Sequence, residues 1–161
     1  MHRVVMTVAA RDLLRQLTGR HGPLMLHQSG GCCDGSAPMC YPVGDFIVGE
    51  RDVLLGVLEL GDVPDGVPVF ISGTQFEAWK HTQLVLDVVP GRGSGFSLEA
   101  PEGVRFLSRG RAFTVEELDT LAGQSVLDGA SWKSGARPGP AEPGQIVIDV
   151  ADACPVPGLE S

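Results

Sequence analysis

Residues 82–90, TQLVLDVVP, alternate along their whole length: Leu84, Leu86 and Val88 fall on one face of an extended chain, and Val85, Asp87 and Val89 on the other. A period of two belongs to a β-strand, so this stretch commits its part of the chain to a sheet that needs partners. Other short apolar runs can supply them: PLMLHQ (23–28), DFIVG (45–49), DVLLGVLEL (52–60), VPVFIS (67–72), FSLEAP (96–101) and VRFLSRG (104–110). Turn residues separate them, including the stretch 61–66 with Pro64 and Asp65, and GRGSG at 91–95. GRGSG lacks the following helix and lysine of a phosphate-binding loop and reads as a hairpin turn. No long helical pattern lies between successive runs, so connectors for parallel crossovers are missing and antiparallel pairing is expected. A helix is expected over 7–17, with Thr7 as cap, Leu13, Leu14 and Leu17 on one face and Gly19 as the stop. A second is expected over 114–123, where Thr114 and Glu117 form a capping box. TQFEAWKH (74–81) fits either one or two helical turns capped by Thr74 or an extended edge. The expected fold class is α+β: mainly antiparallel β structure with an N-terminal helix and short helices.

At 161 residues with 43% hydrophobic content, one domain with its own core is expected over 1–128. From 129 the composition shifts: GASWKSGARPGPAEPGQ (129–145) reads as a Gly/Pro-rich linker, and IVIDVA (146–151) as one added strand or a tail, so 129–161 is set apart. The formal net charge of −8 argues against nucleic acid and anionic membrane surfaces as partners. No apolar run reaches the ~18 residues of a membrane span. The opening MHRVVMTVAARDLL meets charge at Arg11 and Asp12 before a secretory signal develops, so a cytoplasmic location is expected. A homodimer is a further expectation, because an antiparallel sheet must cover its second face or its edges.

The chemistry concentrates in HQSGGCCDGSAPMC (27–40), which carries Cys32, Cys33 and Cys40 after His27. In a reducing compartment such a cluster suggests thiolate chemistry rather than a structural disulfide framework. Thiolates suit zinc, copper(I) and iron–sulfur clusters, and the flanking glycines let the backbone approach a ligand. Adjacent cysteines point apart, so a mononuclear site would take one of Cys32 and Cys33 together with Cys40 and a histidine, His27 or His81. If 74–81 is helical, Glu77 and His81 stand four residues apart on one face and could join the shell. The candidate metal ligands are therefore Cys32, Cys33, Cys40, His27, His81 and Glu77, for zinc, iron or an iron–sulfur cluster. Cys154 lies in the Pro-rich tail and is treated as separate. Arg92, Arg105, Arg109 and Arg111 form a basic stretch that reads as a solvated strand face or as an anion or partner patch.

Two resemblances rest on these residues. HQSGGCCDGSAPMCYPVGDF and QFEAWKHTQLVLDVVPGRGSGFSLEAPEGVRFLSR, in that order, resemble an uncharacterised bacterial family, number 779 of the domain-of-unknown-function series, over about residues 7–112. Genes of that family often stand beside aldehyde or alcohol dehydrogenase genes. The resemblance thus implies an accessory role with such a dehydrogenase as possible partner. The layout of a helix, a strand and then GGCCDG is also similar to the HesB-like A-type iron–sulfur carriers, with Cys32 at the matching point and GSGFSLEAPEG (93–103) further on. Those carriers place two more cysteines after that point; this chain has VRFLSRGR there, so only Cys32 carries over.

Three functions are compatible with these features. The first is a metal- or iron–sulfur-binding accessory protein. The second is a thiol redox enzyme or sensor, with Cys32 as reactive thiolate, Cys33 or Cys40 as resolving thiol and His27 or His81 as base. The third is a structural or interaction protein with buried cysteines.

Overall fold

The structure is a computed structural model that describes residues 2–28, 38–45, 47–60, 66–91, 97–124, 126–135 and 147–148. It is α+β, and the described residues form eight strands in two four-stranded sheets. Strand β1 (Val4–Thr7) leads into helix α1 (Val8–His21), followed by β2 (Leu24–Gln28), β3 (Met39–Pro42), β4 (Val53–Leu58) and β5 (Val67–Ile71). Helix α2 (Gly73–Trp79), β6 (Thr82–Pro90), a 3-10 turn (Ala100–Glu102) and β7 (Val104–Ala112) come next. Helices α3 (Val115–Ala122) and α4 (Gly129–Lys133) and the short β8 (Val147–Ile148) complete the order. The first sheet runs β7-β6-β1-β8 and the second β3-β2-β5-β4.

The alternating stretch 82–90 is β6, paired antiparallel with β7 along its full length from Thr82↔Ala112 to Pro90↔Val104. The pairs β2/β3 and β4/β5 are also antiparallel. Three joints are parallel: β1/β6, β1/β8 and β2/β5. Their crossovers run through other strands rather than through one long helix. The whole second sheet lies in sequence between β1 and β6, and β3 and β4 lie between β2 and β5. These parallel pairs carry no long connecting helix by which a sequence pattern would show them.

One core joins both sheets to α1. It contains Val4, Met6, Leu84, Leu86 and Phe106 from the first sheet, Leu24, Leu26, Val69 and Ile71 from the second, and Leu13, Leu14 and Leu17 of α1. The opposite face of the second sheet has its own cluster, in which Met25, Leu54 and Phe70 pack with Val48, Leu127 and Trp132. Trp132 stands edge-on to Phe70, with ring centres 5.3 Å apart.

Local signals account for most element ends. The Thr7 hydroxyl accepts from the Ala10 amide and caps α1. The same hydroxyl donates to Asp87 Oδ1 (2.9 Å), while Arg109 Nε donates to Asp87 Oδ2 (2.7 Å). Both partners of that ion pair are buried, so one carboxylate ties a helix cap to the β6/β7 ladder. Arg109 is thus not part of a solvated face. Arg111 likewise forks onto Glu117 and donates to Gln83, and Arg92 lies outside the described residues.

Other expectations shift. Helix α1 passes through Gly19 and stops at Gly22, whose φ of 78° suits glycine and whose amide reaches back to Thr18 O. Ser72, not Thr74, caps α2. The described residues of the DFIVG stretch, 45 and 47–49, are not in a strand; Val48 instead packs on the outer cluster of the second sheet. Of the 96–101 stretch, residues 97–101 form a turn, because Pro101 stands in a 3-10 segment and Ser97 and Glu99 point inward to be bonded. Two four-residue strands, β1 and β3, lie where no strand was expected. The segment read as linker from 129 opens with α4, capped by Asp128. No helix among the described residues is long and apolar enough to cross a membrane.

Candidate functional site

Strand β2 ends at Gln28, where the cysteine-rich turn begins, and β3 brings the chain back through Cys40. Cys32 and Cys33 fall outside the described residues. The two strands that frame the turn fix the other candidates. In the β2/β3 register His27 faces Met39 and Leu26 faces Cys40. Successive side chains point to opposite faces, so His27 and Cys40 lie on opposite sides of the second sheet.

Cys40 belongs to the shared core and is fully buried. Its amide donates to Ser97 Oγ (2.8 Å), and its carbonyl accepts from the Leu98 amide. Ser97 Oγ in turn donates to the buried carboxylate of Glu99 (2.8 Å). Burial, reinforced by the negative charge of Glu99, pushes the Cys40 thiol far above its ordinary range. Burial also raises Glu99, against hydrogen bonds from Ser97 and from backbone amides that favour its ionised form. A thiol so placed stays protonated and behaves as a small packed hydrophobe.

On the other face His27 is also buried, but paired. Its Nε2 lies 2.9 Å from Asp52 Oδ2, and that oxygen also accepts from the Gly49 amide (2.8 Å). Asp52 stands just ahead of β4 in a loop clamped from behind by the chain entering α4. The Gly129 amide donates to Asp52 O (2.6 Å), Ala130 to Glu50 O, and Leu54 to Leu127 O. Gly129 is required there: a Cβ on it would come within 1.7 Å of Gly49 O. Segment 126–133 thus holds the loop that aims Asp52 at His27.

Beside the turn, Gln28 faces inward, where its Oε1 accepts from Ser108 Oγ of β7 (2.8 Å) and the two sheets meet. Glu77 and His81 are elsewhere. Helix α2 begins near Gln28, since the Ser72 amide reaches Gln28 O, but His81 stands beyond its far end, about 10 Å of helix away. The helix ends at Trp79, so the four-residue helical spacing of Glu77 and His81 is broken. Both side chains are exposed, and Glu77 is paired with Lys80 at 2.7 Å, which draws its carboxyl below the ordinary range. Among the described residues no three potential ligands come together.

Asp52, Ser97 and Glu99 are the partners that sequence reasoning missed. Each acts across 25 to 57 positions or from a turn, where periodicity carries no signal. The family model for a domain of unknown function, DUF779, matches residues 13–112, which span β2, the turn, β3 and the β6/β7 ladder. The chain belongs to the DUF779 family. No curated protein and no solved structure matches it significantly. The DUF779 match includes His27, Asp52 and the cysteine-rich turn, and ends before segment 126–133.

Proposed function

We propose that this DUF779 chain is a metal-binding accessory protein, in which His27 and the Cys32 thiolate hold the ion and Asp52 orients His27. The observation that carries this reading is the His27–Asp52 pair, 2.9 Å apart, with His27 buried and Asp52 half-buried at the strand end that leads into the cysteine-rich segment. A ligating histidine ordinarily bonds a carboxylate through its second nitrogen, which fixes the ring and raises its basicity. Mixed thiolate and imidazole donors suit zinc or iron, or an iron–sulfur cluster. Cys40 packs in the core in this reading, and Glu77 and His81 take no part. The client would be an aldehyde or alcohol dehydrogenase, as the gene neighbourhood of the family implies.

The same pair favours a second reading, thiol redox chemistry, because a protonated imidazole held by a carboxylate lowers the pKa of a nearby thiol. Metal and acid-labile sulfide analysis of anaerobically purified protein separates the two. Stoichiometric metal is expected in the wild type and in Cys40→Ser, and none in Cys32→Ser. Affinity should fall about 10- to 100-fold in Asp52→Asn. A folded wild-type protein that takes up neither zinc nor iron on reconstitution would overturn the metal reading. A single fast-reacting thiol in that protein, slowed in Asp52→Asn, would establish the second.

A further inference from the structure

A cavity of about 370 Å³ opens where the start of β1, the end of α2 and the end of α3 meet. Its floor is apolar, made by Phe76, Leu118 and Leu121, and three basic side chains line it as well: Arg3, Lys80 and His81. Among the described residues no carboxylate lines it. In a chain with 20 acidic residues against 12 Lys and Arg, this local reversal of sign is unexpected on composition.

Arg3 makes the point most sharply. Its guanidinium sits over the Phe76 ring, 5.2 Å from the centre, and one nitrogen donates to Lys80 O at 3.3 Å. It has no carboxylate partner among the described residues, although burial already lowers its pKa and a counter-anion would relieve that cost. Lys80 holds Glu77 in an exposed pair of the kind that contributes little and exchanges readily. The Lys80 carbonyl at the end of α2 takes up one Arg3 nitrogen, and Arg3 itself lines the cavity.

We propose that this cavity binds a small amphiphilic monocarboxylate, its apolar body on Phe76, Leu118 and Leu121 and its carboxylate against Arg3, with Lys80 and His81 beside it. An apolar floor with a few convergent polar groups is the usual construction of a small-molecule site, and the volume lies at the small end of that class. A guanidinium fork is the side chain best matched to a carboxylate. The charge of the rim selects the anion, and the floor selects an alkyl or aryl body over a small inorganic ion.

The test uses the full chain with octanoate, 1-octanol and octylamine as probes, followed by calorimetry and by amide chemical shifts. Octanoate should bind at least about fivefold more tightly than octanol, with octylamine weakest, since one partly screened charge pair is worth about a factor of five. Shifts should centre on Lys80, His81, Leu118 and Gln124. Arg3→Gln should lower octanoate affinity about fivefold and leave octanol unchanged. Ala122→Glu, which adds a carboxylate at an exposed position lining the cavity, should do the same without relying on loss of Arg3 packing. Equal binding of octanoate and octanol, shifts centred elsewhere, or indifference of octanoate to both folded variants would overturn the proposal, as would the absence of binding at 10 mM octanoate, a concentration on the order of the weakest useful small-ligand affinity.

Discussion

Replacing Gly129 by alanine adds one methyl group, and the structure says where that group would go. Its Cβ would lie 1.7 Å from Gly49 O, 2.8 Å from Gly49 C and 3.0 Å from Val48 Cγ1. The first two neighbours are backbone and cannot rotate aside, so the chain entering α4 must move away from the 49–52 loop by more than an ångström. Overpacking of this kind costs about 1–3 kcal/mol. The movement also stretches the Gly129–Asp52 and Ala130–Glu50 hydrogen bonds, each worth about 1 kcal/mol. Gly129→Ala should therefore lower unfolding free energy by about 3–4 kcal/mol, a large share of a stability that for domains of this size is about 5–15 kcal/mol. Urea denaturation followed by tryptophan fluorescence reads both consequences, because displacement of α4 takes Trp132 off Phe70 and shifts its emission to the red. Gly19→Ala is the matched control. It adds the same methyl inside α1 where nothing lies within 4 Å, and it should stabilise by up to about 1 kcal/mol. A loss below about 1 kcal/mol in Gly129→Ala, with unchanged emission, would refute the claim that close packing of 129 on 49 holds the Asp52 loop.

Two further predictions concern single side chains. Cys40 should resist thiol reagents in the folded protein and react at once on unfolding, as its burial and elevated pKa require; alkylation of a Cys32→Ser, Cys33→Ser, Cys154→Ser variant followed by mass spectrometry measures it alone, and modification within minutes under native conditions would count against the assigned core position. Glu117 is held at about 2, against an ordinary 4.5, first by the Arg111 guanidinium and then by the Thr114 amide. A depressed carboxyl stabilises the fold above the unfolded value, and the contribution is lost as pH falls from about 4.5 toward about 2. Because the pair is solvent-screened, the contribution stays below about 1 kcal/mol. Glu117→Gln should thus be slightly less stable than wild type at pH 7, with the gap closing toward pH 3. A gap independent of pH in denaturation curves would contradict the assignment.

What the sequence discloses here is what neighbours disclose about one another. The alternation of 82–90, the cap at Thr7 and the Thr114–Glu117 box each involve residues within a few positions, and each appears in the fold as read. The four-residue strands β1 and β3 are too short to build a period, and β1 merges with the helix that follows it. The cysteine cluster marks a stretch of chain but not the directions its side chains take. Only the pairing of Leu26 with Cys40 shows that Cys40 turns into the core while His27 turns away from it. Asp52 carries no motif at all, and its place beside His27 depends on a loop fixed by Gly129, some 77 residues further along. The basic stretch was misleading for a related reason: Arg109 finds Asp87 diagonally across a ladder, where a one-dimensional count of charges records only a patch.

The position of β1 between β6 and β8 has a consequence for how the chain is made. Val4, Val5 and Met6 are buried in the finished protein, yet their parallel partners Leu84, Val85 and Leu86 leave the ribosome some eighty residues later. Until then the earliest strand has two open edges and an apolar face with no ladder to join, the condition under which nascent chains recruit holding chaperones or associate. The second sheet has no such debt, because β2 to β5 are complete by Ile71. Synthesis should therefore deliver a folded β2–β5 unit first, with the N-terminal strand threading into place only when β6 arrives, and pairings of such long range make that closing step the slow one.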